Sequence, residues 1–170
     1  MNQSKIRIII LNLHFNSADM SINVSKNVHF NGISIQIPEK WDYETAEYNE
    51  EDGTKSYSVS ISAKGKGIDI SWGTIPEGSD AYNEACATYE EVVLEDDLSA
   101  GEDAVMCFEF QKREAFGFNV WTDDGKPCFF FCTDIPSKGT NQLLTVLASA
   151  RKNEELQELI DFVEANLSVE

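Results

Sequence analysis

The chain's 170 residues carry 30 acids against 13 bases, a net charge of −17, with 42% apolar residues and a mean hydropathy of −0.31. That apolar share builds one ordinary core, which excludes a disordered chain and points to one domain with a tail. A pI near 4.3 sets any phosphate backbone against like charge, and no run reaches the ~20 apolar residues of a bilayer span, so neither nucleic acid nor a membrane crossing is expected.

Residues 1–24 read as a leader or tail, and residues 25–170 as a single α+β domain. Lys5, Arg7 and the run Ile8-Ile9-Ile10-Leu11 imitate a secretory signal, but Asn12, His14 and Asn16 break the run and no cleavage site follows. A cytoplasmic location is expected, with Met20 a candidate for the true start. From Val28 the pattern becomes β. Val28-His29-Phe30, the turn pair Asn31-Gly32, and Ile33, Ile35 and Ile37 alternating with Ser34 and Gln36 predict a hairpin that Pro38 stops. Glu39 to Thr54 reads as an acidic loop anchored by Trp41 and Tyr43. Tyr57, Val59 and Ile61, the Lys64-Gly65-Lys66-Gly67 turn, and Ile68, Ile70 and Trp72 predict a second hairpin.

Ser79 as N-cap and Asp80 in the first turn open a helix with Tyr82, Ala85, Cys86, Tyr89 and Val93 on one face. Beyond an acidic connection from Leu94 to Gly101, the runs around Phe108, Phe118 and Phe130, with a Thr122-Asp123-Asp124-Gly125 turn, predict a three-stranded meander. Thr140 opens an expected helix carrying Leu143, Leu144 and Leu147, and Asn153 caps a last one with Leu156, Leu159, Ile160, Val163 and Leu167 along a stripe. Tight turns between about six strands imply an antiparallel sheet, since parallel neighbours need crossovers of a dozen or more residues. Serine and asparagine alternating on several strands suggest helices on both faces, an α/β/α sandwich.

No reactive constellation stands out. A nucleophile needs a base beside it, and His14 and His29 are the two histidines, one in the leader and one at a strand start. Gly65-Lys66-Gly67 lacks the third glycine and the helix of a phosphate loop, and Asp123-Asp124-Gly125 lacks the later ligands of a calcium loop. Cys128 and Cys132 alternate with Phe130 and, like Cys86 and Cys107, read as free core thiols rather than zinc ligands or disulfides. No catalytic residue, metal or cofactor is assigned. The charge is regional instead: between Gly67 and Gln111 there is no Lys or Arg, while twelve acids fall there, −12 of the −17. Such a field steers a basic partner.

The phrase Phe30-Asn-Gly-Ile-Ser-Ile-Gln-Ile-Pro-Glu-Lys-Trp41 resembles the opening of the PsbP-like superfamily, where a strand ends in a Pro-x-x-Trp corner. Leu143 to Arg151 is similar to the closing helix of the same proteins, so the resemblance spans about Val28 to Arg151. The superfamily includes a photosystem oxygen-evolving subunit, a Ran-binding import factor, bacterial envelope proteins and secretion-effector chaperones. The resemblance implies a non-catalytic α/β/α adaptor or binding domain and carries no catalytic residues.

The expected function is therefore a bacterial protein-interaction domain, chaperone-like or immunity-like, that meets a basic partner through Glu84, Glu91, Glu95, Asp96, Asp97, Glu102 and Asp103. An alternative is a small-ligand domain with a pocket lined by Trp72, Phe116, Phe118 and Trp121. A third is an enzyme without a recognisable motif. Oligomeric state is not legible.

Overall fold

The computed structural model describes residues 24–94, 98–100, 105–136 and 140–170; the leader with Met20, and Glu95, Asp96, Asp97, Glu102 and Asp103, lie outside the described residues. The elements in chain order are β1 (Lys26–Phe30), β2 (Ile33–Ile37), β3 (Asp42–Asn49), β4 (Lys55–Ala63), β5 (Lys66–Thr74), α1 (Ala81–Leu94) and β6 (Leu98–Ala100). They continue with β7 (Met106–Phe110), β8 (Arg113–Thr122), β9 (Pro127–Pro136), β10 (Asn141–Ser149), α2 (Asn153–Asn166) and β11 (Leu167–Val169).

The first hairpin forms as its residues predict. Asn31 and Gly32 both take positive φ (44° and 82°), the backbone that a two-residue hairpin requires, and Val28, Ile33, Ile35 and Ile37 are buried on one face. β11 adds to β2 to complete a three-stranded sheet. The second sheet runs β3-β4-β5-β10-β9-β8-β6, with β7 also on β8, and among the described residues every pairing in it is antiparallel.

This sheet is larger than about six strands because two segments differ from expectation. Glu39 to Thr54 is not all loop: β3 pairs Asp42↔Ser62 through Asn49↔Lys55. Seven of its eight residues are exposed, so it has no apolar face and leaves no alternation to read. Residues 141–149 form strand β10, not a helix. It lies between β5 and β9, with Leu144, Val146 and Ala148 buried on one face and Leu143 and Leu147 half-buried on the other, and a strand with apolar residues on both faces shows an apolar run rather than alternation. The Leu143–Arg151 segment that resembles a closing helix is thus mainly a central strand; the chain's closing helix is α2.

Two layers flank the sheet, an α/β/α arrangement. On one side α2 and the three-stranded sheet cover Val59, Ile61, Ile68, Ile70, Trp72, Phe131, Leu144 and Val146. There Trp41 meets Phe162 at 5.0 Å, which explains why an indole follows the Pro38 corner. On the other side α1 rests on β8, β9 and β6. A 14-residue helix about 10 Å wide spans two or three strands spaced about 4.8 Å apart, so α1 leaves the serine-bearing strands uncovered. Ser60 and Ser62 are exposed, contrary to the helical cover expected over those serines.

Caps also shift by a residue. Asp80, not Ser79, caps α1: its Oδ1 accepts the Asn83 N–H at 2.8 Å, while the Ser79 hydroxyl donates to Glu84 at 2.5 Å. At α2 the N-cap is Lys152, with no side-chain cap bond of its own, rather than Asn153. Glu155 serves that end by accepting the Arg151 N–H at 3.2 Å and its guanidinium at 2.7 Å.

Candidate interaction surface

The site is built around α1, whose sequence gives it two unlike flanks. Ala81 and Ala85 are fully buried and small, which seats the helix close over Cys132. Tyr82 packs edge-on against Phe116 at 5.4 Å and Tyr89 against Phe118 at 5.3 Å, fixing that flank over β8. Helical geometry then turns Glu84, Thr88 and Glu91 the opposite way, toward β10 and β5. The Glu84 and Asp134 carboxylates both act on the Cys132 thiol, which burial pushes up to about 12; the Thr145 hydroxyl, 3.8 Å from the sulfur, works the other way. Asp134 also accepts the Ala81 N–H at 3.2 Å, tying the start of α1 to β9.

Beside that flank lies an open floor of small side chains. Register places Ser58, Ser60 and Ser62 of β4 against Ser71, Asp69 and Gly67 of β5, and these against Thr145, Leu147 and Ser149 of β10. Strand residues alternate between faces, so this side of the sheet is read directly from register. It receives Asp42 and Glu44 of β3, Asp69, Asp134 and Glu114. None of its strand positions in β3, β4, β5, β8, β9 and β10 is Lys or Arg, and α1 contains neither.

The described bases lie elsewhere. Lys55, Lys66 and Arg113 alternate onto the α2 side, where Lys66 reaches Glu158 at 4.0 Å and Lys55 pairs with Glu47 at 2.5 Å. Lys26 belongs to the three-stranded sheet, donating to the Trp41 carbonyl at 2.8 Å and lying 5.7 Å from the Tyr43 ring. Lys40, Lys64, Lys112, Lys126, Arg151 and Lys152 stand in turns and at the approach to α2. The described bases are thus confined to the α2 side and the turns, while acids stand on both sides, Glu154, Glu155, Glu158, Asp161 and Glu164 of α2 among them.

Of the residues expected to meet a partner, Glu84 and Glu91 stand together on the inward flank of α1. Asp42, Glu44 and Asp69, on the same side of the sheet, are additions that linear charge counting did not single out. The four aromatics are not gathered. Phe116 and Phe118 lie beneath α1, whereas Trp72 is on the α2 side, donating from its indole to the Asn31 carbonyl at 3.2 Å and touching Phe30 and Tyr57. Trp121 shares its strand parity with Ala115, and so also faces away from Phe116 and Phe118. Strand parity separates them.

Among the described residues no group of three or more His, Cys, Asp or Glu is arranged to hold a metal ion, and no helix is long and apolar enough to cross a membrane. Cys86, Cys107, Cys128 and Cys132 are free thiols.

No family model matches the chain, and no curated protein matches it. Among solved structures it is similar to the solution structure of cyanobacterial PsbP (CyanoP) from Synechocystis sp. PCC 6803, with a TM-score of 0.55 at 13% identity over 91% of this chain and 99% of that one. The likeness is one of fold, and the architecture of this protein is PsbP-like.

Proposed function

We propose that this chain is a non-catalytic, PsbP-type interaction domain that presents the α1 side of its sheet to a basic protein partner, in the manner of a bacterial adaptor, chaperone or immunity protein. The observation that carries the reading is the segregation of charge: the described bases stand on the α2 side or in turns, while Glu44, Asp69, Glu84 and Glu91 surround a floor of small side chains. A one-signed surface steers an oppositely charged partner and repels like-charged ones. Small floor residues allow a close, low-entropy approach. A cytoplasmic setting, where four free thiols stay reduced, fits this reading.

The test is capture from lysate by wild-type protein and by a variant carrying Glu44→Lys, Asp69→Lys, Glu84→Lys and Glu91→Lys. A control carries Glu39→Lys, Glu51→Lys, Asp123→Lys and Glu154→Lys, the same charge change at exposed positions elsewhere. Loss of a salt-sensitive partner in the first variant alone supports the proposal. Equal loss in both, or in neither, ends it.

A further inference from the structure

The sheet's two margins are unlike. At one, β8 carries two short strands, β6 and β7, end to end. At the other, β3 runs for eight residues in unbroken register with β4, and among the described residues no strand lies outside it. Exposed edges are ordinarily blunted by charge, proline, a bulge or shortness; β3 has no proline or bulge and is eight residues long, and its charges are all acidic, which guards it against like-charged strands and not against a basic one.

Which main-chain groups face outward follows from the hairpin. The Glu50 N–H donates to the Thr54 carbonyl at 2.9 Å, so even-numbered residues of β3 bond to β4. The N–H and C=O groups of Tyr43, Thr45, Glu47 and Asn49 therefore point away from the sheet. The same strand carries Asp42, Glu44 and Glu47 without a base, and Glu50, Glu51 and Asp52 follow it. A second copy is a poor occupant, because pairing β3 with itself doubles three carboxylates along one ribbon.

We infer that the outer edge of β3 is a strand-addition site for a basic, extended segment of a partner protein, which pairs its main chain with Tyr43, Thr45, Glu47 and Asn49 while its cations meet Asp42 and Glu44 on the α1 side. The inference rests on the proposed acidic surface for the partner's charge, and on β3 alone for main-chain pairing. Strand addition supplies affinity through main-chain bonds and selects side chains at alternate positions.

The probe is a synthetic octapeptide alternating Lys with Val, compared with the same peptide N-methylated at alternate residues. Hydrogen exchange should slow at the four outward amides on adding the first peptide and not the second. Thr45→Pro removes an outward N–H while sparing the β3–β4 bonds, and should weaken binding about tenfold or more. Circular dichroism checks its fold, and the N-methylated probe leaves the protein untouched. Equal binding of both peptides, no binding, or protection confined to α1 overturns the inference. So does protection of the four amides before peptide is added, which identifies this chain's own residues as the occupant if independent of dilution and a second copy if not. Failure of the acidic-surface reading looks different: Glu84→Lys with Glu91→Lys leaves partner capture intact, whatever β3 does.

Discussion

Gln111 and Glu164, far apart in sequence, are joined by two hydrogen bonds. The Gln111 main-chain N–H donates to the Glu164 carboxylate at 3.0 Å, and its side-chain amide donates to the Glu164 carbonyl at 2.8 Å. The same amide reaches the Leu167 carbonyl at 2.8 Å, so one side chain in the β7–β8 turn satisfies the end of α2 and the start of β11. Gln111 and Lys112 hold φ of 49° and 62°, a turn chosen without glycine. Gln111→Ala should cost about 1–2 kcal/mol in urea unfolding, the worth of two side-chain bonds at a partly exposed site. Gln111→Gly should cost less, because glycine relieves the positive φ.

Gly117 is fixed by packing rather than by backbone conformation. A Cβ there would stand 2.4 Å from the Phe130 carbonyl and 2.7 Å from the Phe131 Cβ, and main chain cannot rotate away as a side-chain tip can. Gly117→Ala is expected to destabilise by about 3 kcal/mol, the upper end of overpacking costs, read as a lowered denaturation midpoint with an unchanged m-value.

How far these features were legible depends on what each strand faces. β2 announces itself because Ile33, Ile35 and Ile37 are buried while Gln36 is exposed, so the two-residue period survives in the sequence. β10 hides because Leu144, Val146 and Ala148 face α2 while the half-buried Leu143 and Leu147 lie toward α1, and a leucine-rich run with apolar side chains on both faces imitates a helix. β3 hides for the opposite reason, having no apolar side. For the site, the acidic stretch between Gly67 and Gln111 was visible by counting, but the company of Glu44 with Asp69 comes from register. Placing Trp72 with Phe118 failed because sheet side depends on parity carried across four strands.

Two carboxylates should act oppositely with pH. Burial, with Asp80 nearby, raises the Asp134 carboxyl above its ordinary 3.8 despite the Ala81 N–H. A carboxyl raised in the fold binds its proton more tightly there, so its contribution is present below 3.8 and lost as pH rises through the folded value. Asp134→Asn keeps an acceptor for Ala81 and should raise stability at about pH 7, with the gain vanishing in acid. The Arg151 guanidinium holds Glu155 below its ordinary 4.5, so that contribution is present above 4.5 and lost as pH falls through the folded value. Glu155→Gln should lower the melting temperature at neutral pH and converge with wild type in acid. Melting curves across pH check both signs.

Thiol chemistry tests whether α1 sits where the acidic surface requires. Cys132 is 1% exposed beneath Ala81 and Ala85, and burial pushes its thiol up to about 12, so almost no thiolate exists near neutrality. Cys107 on β7 is exposed, although burial of its sulfur and the Glu114 carboxylate raise its thiol and slow it relative to a free cysteine. Native protein treated with a thiol reagent should label Cys107 well before Cys132, and Cys132 should follow only the opening of α1 from β9. Mass spectrometry of quenched samples resolves the order. Labelling of Cys132 as fast as Cys107 would mean that α1 is not seated over β9, and the flank bearing Glu84 and Glu91 would then no longer border the serine floor.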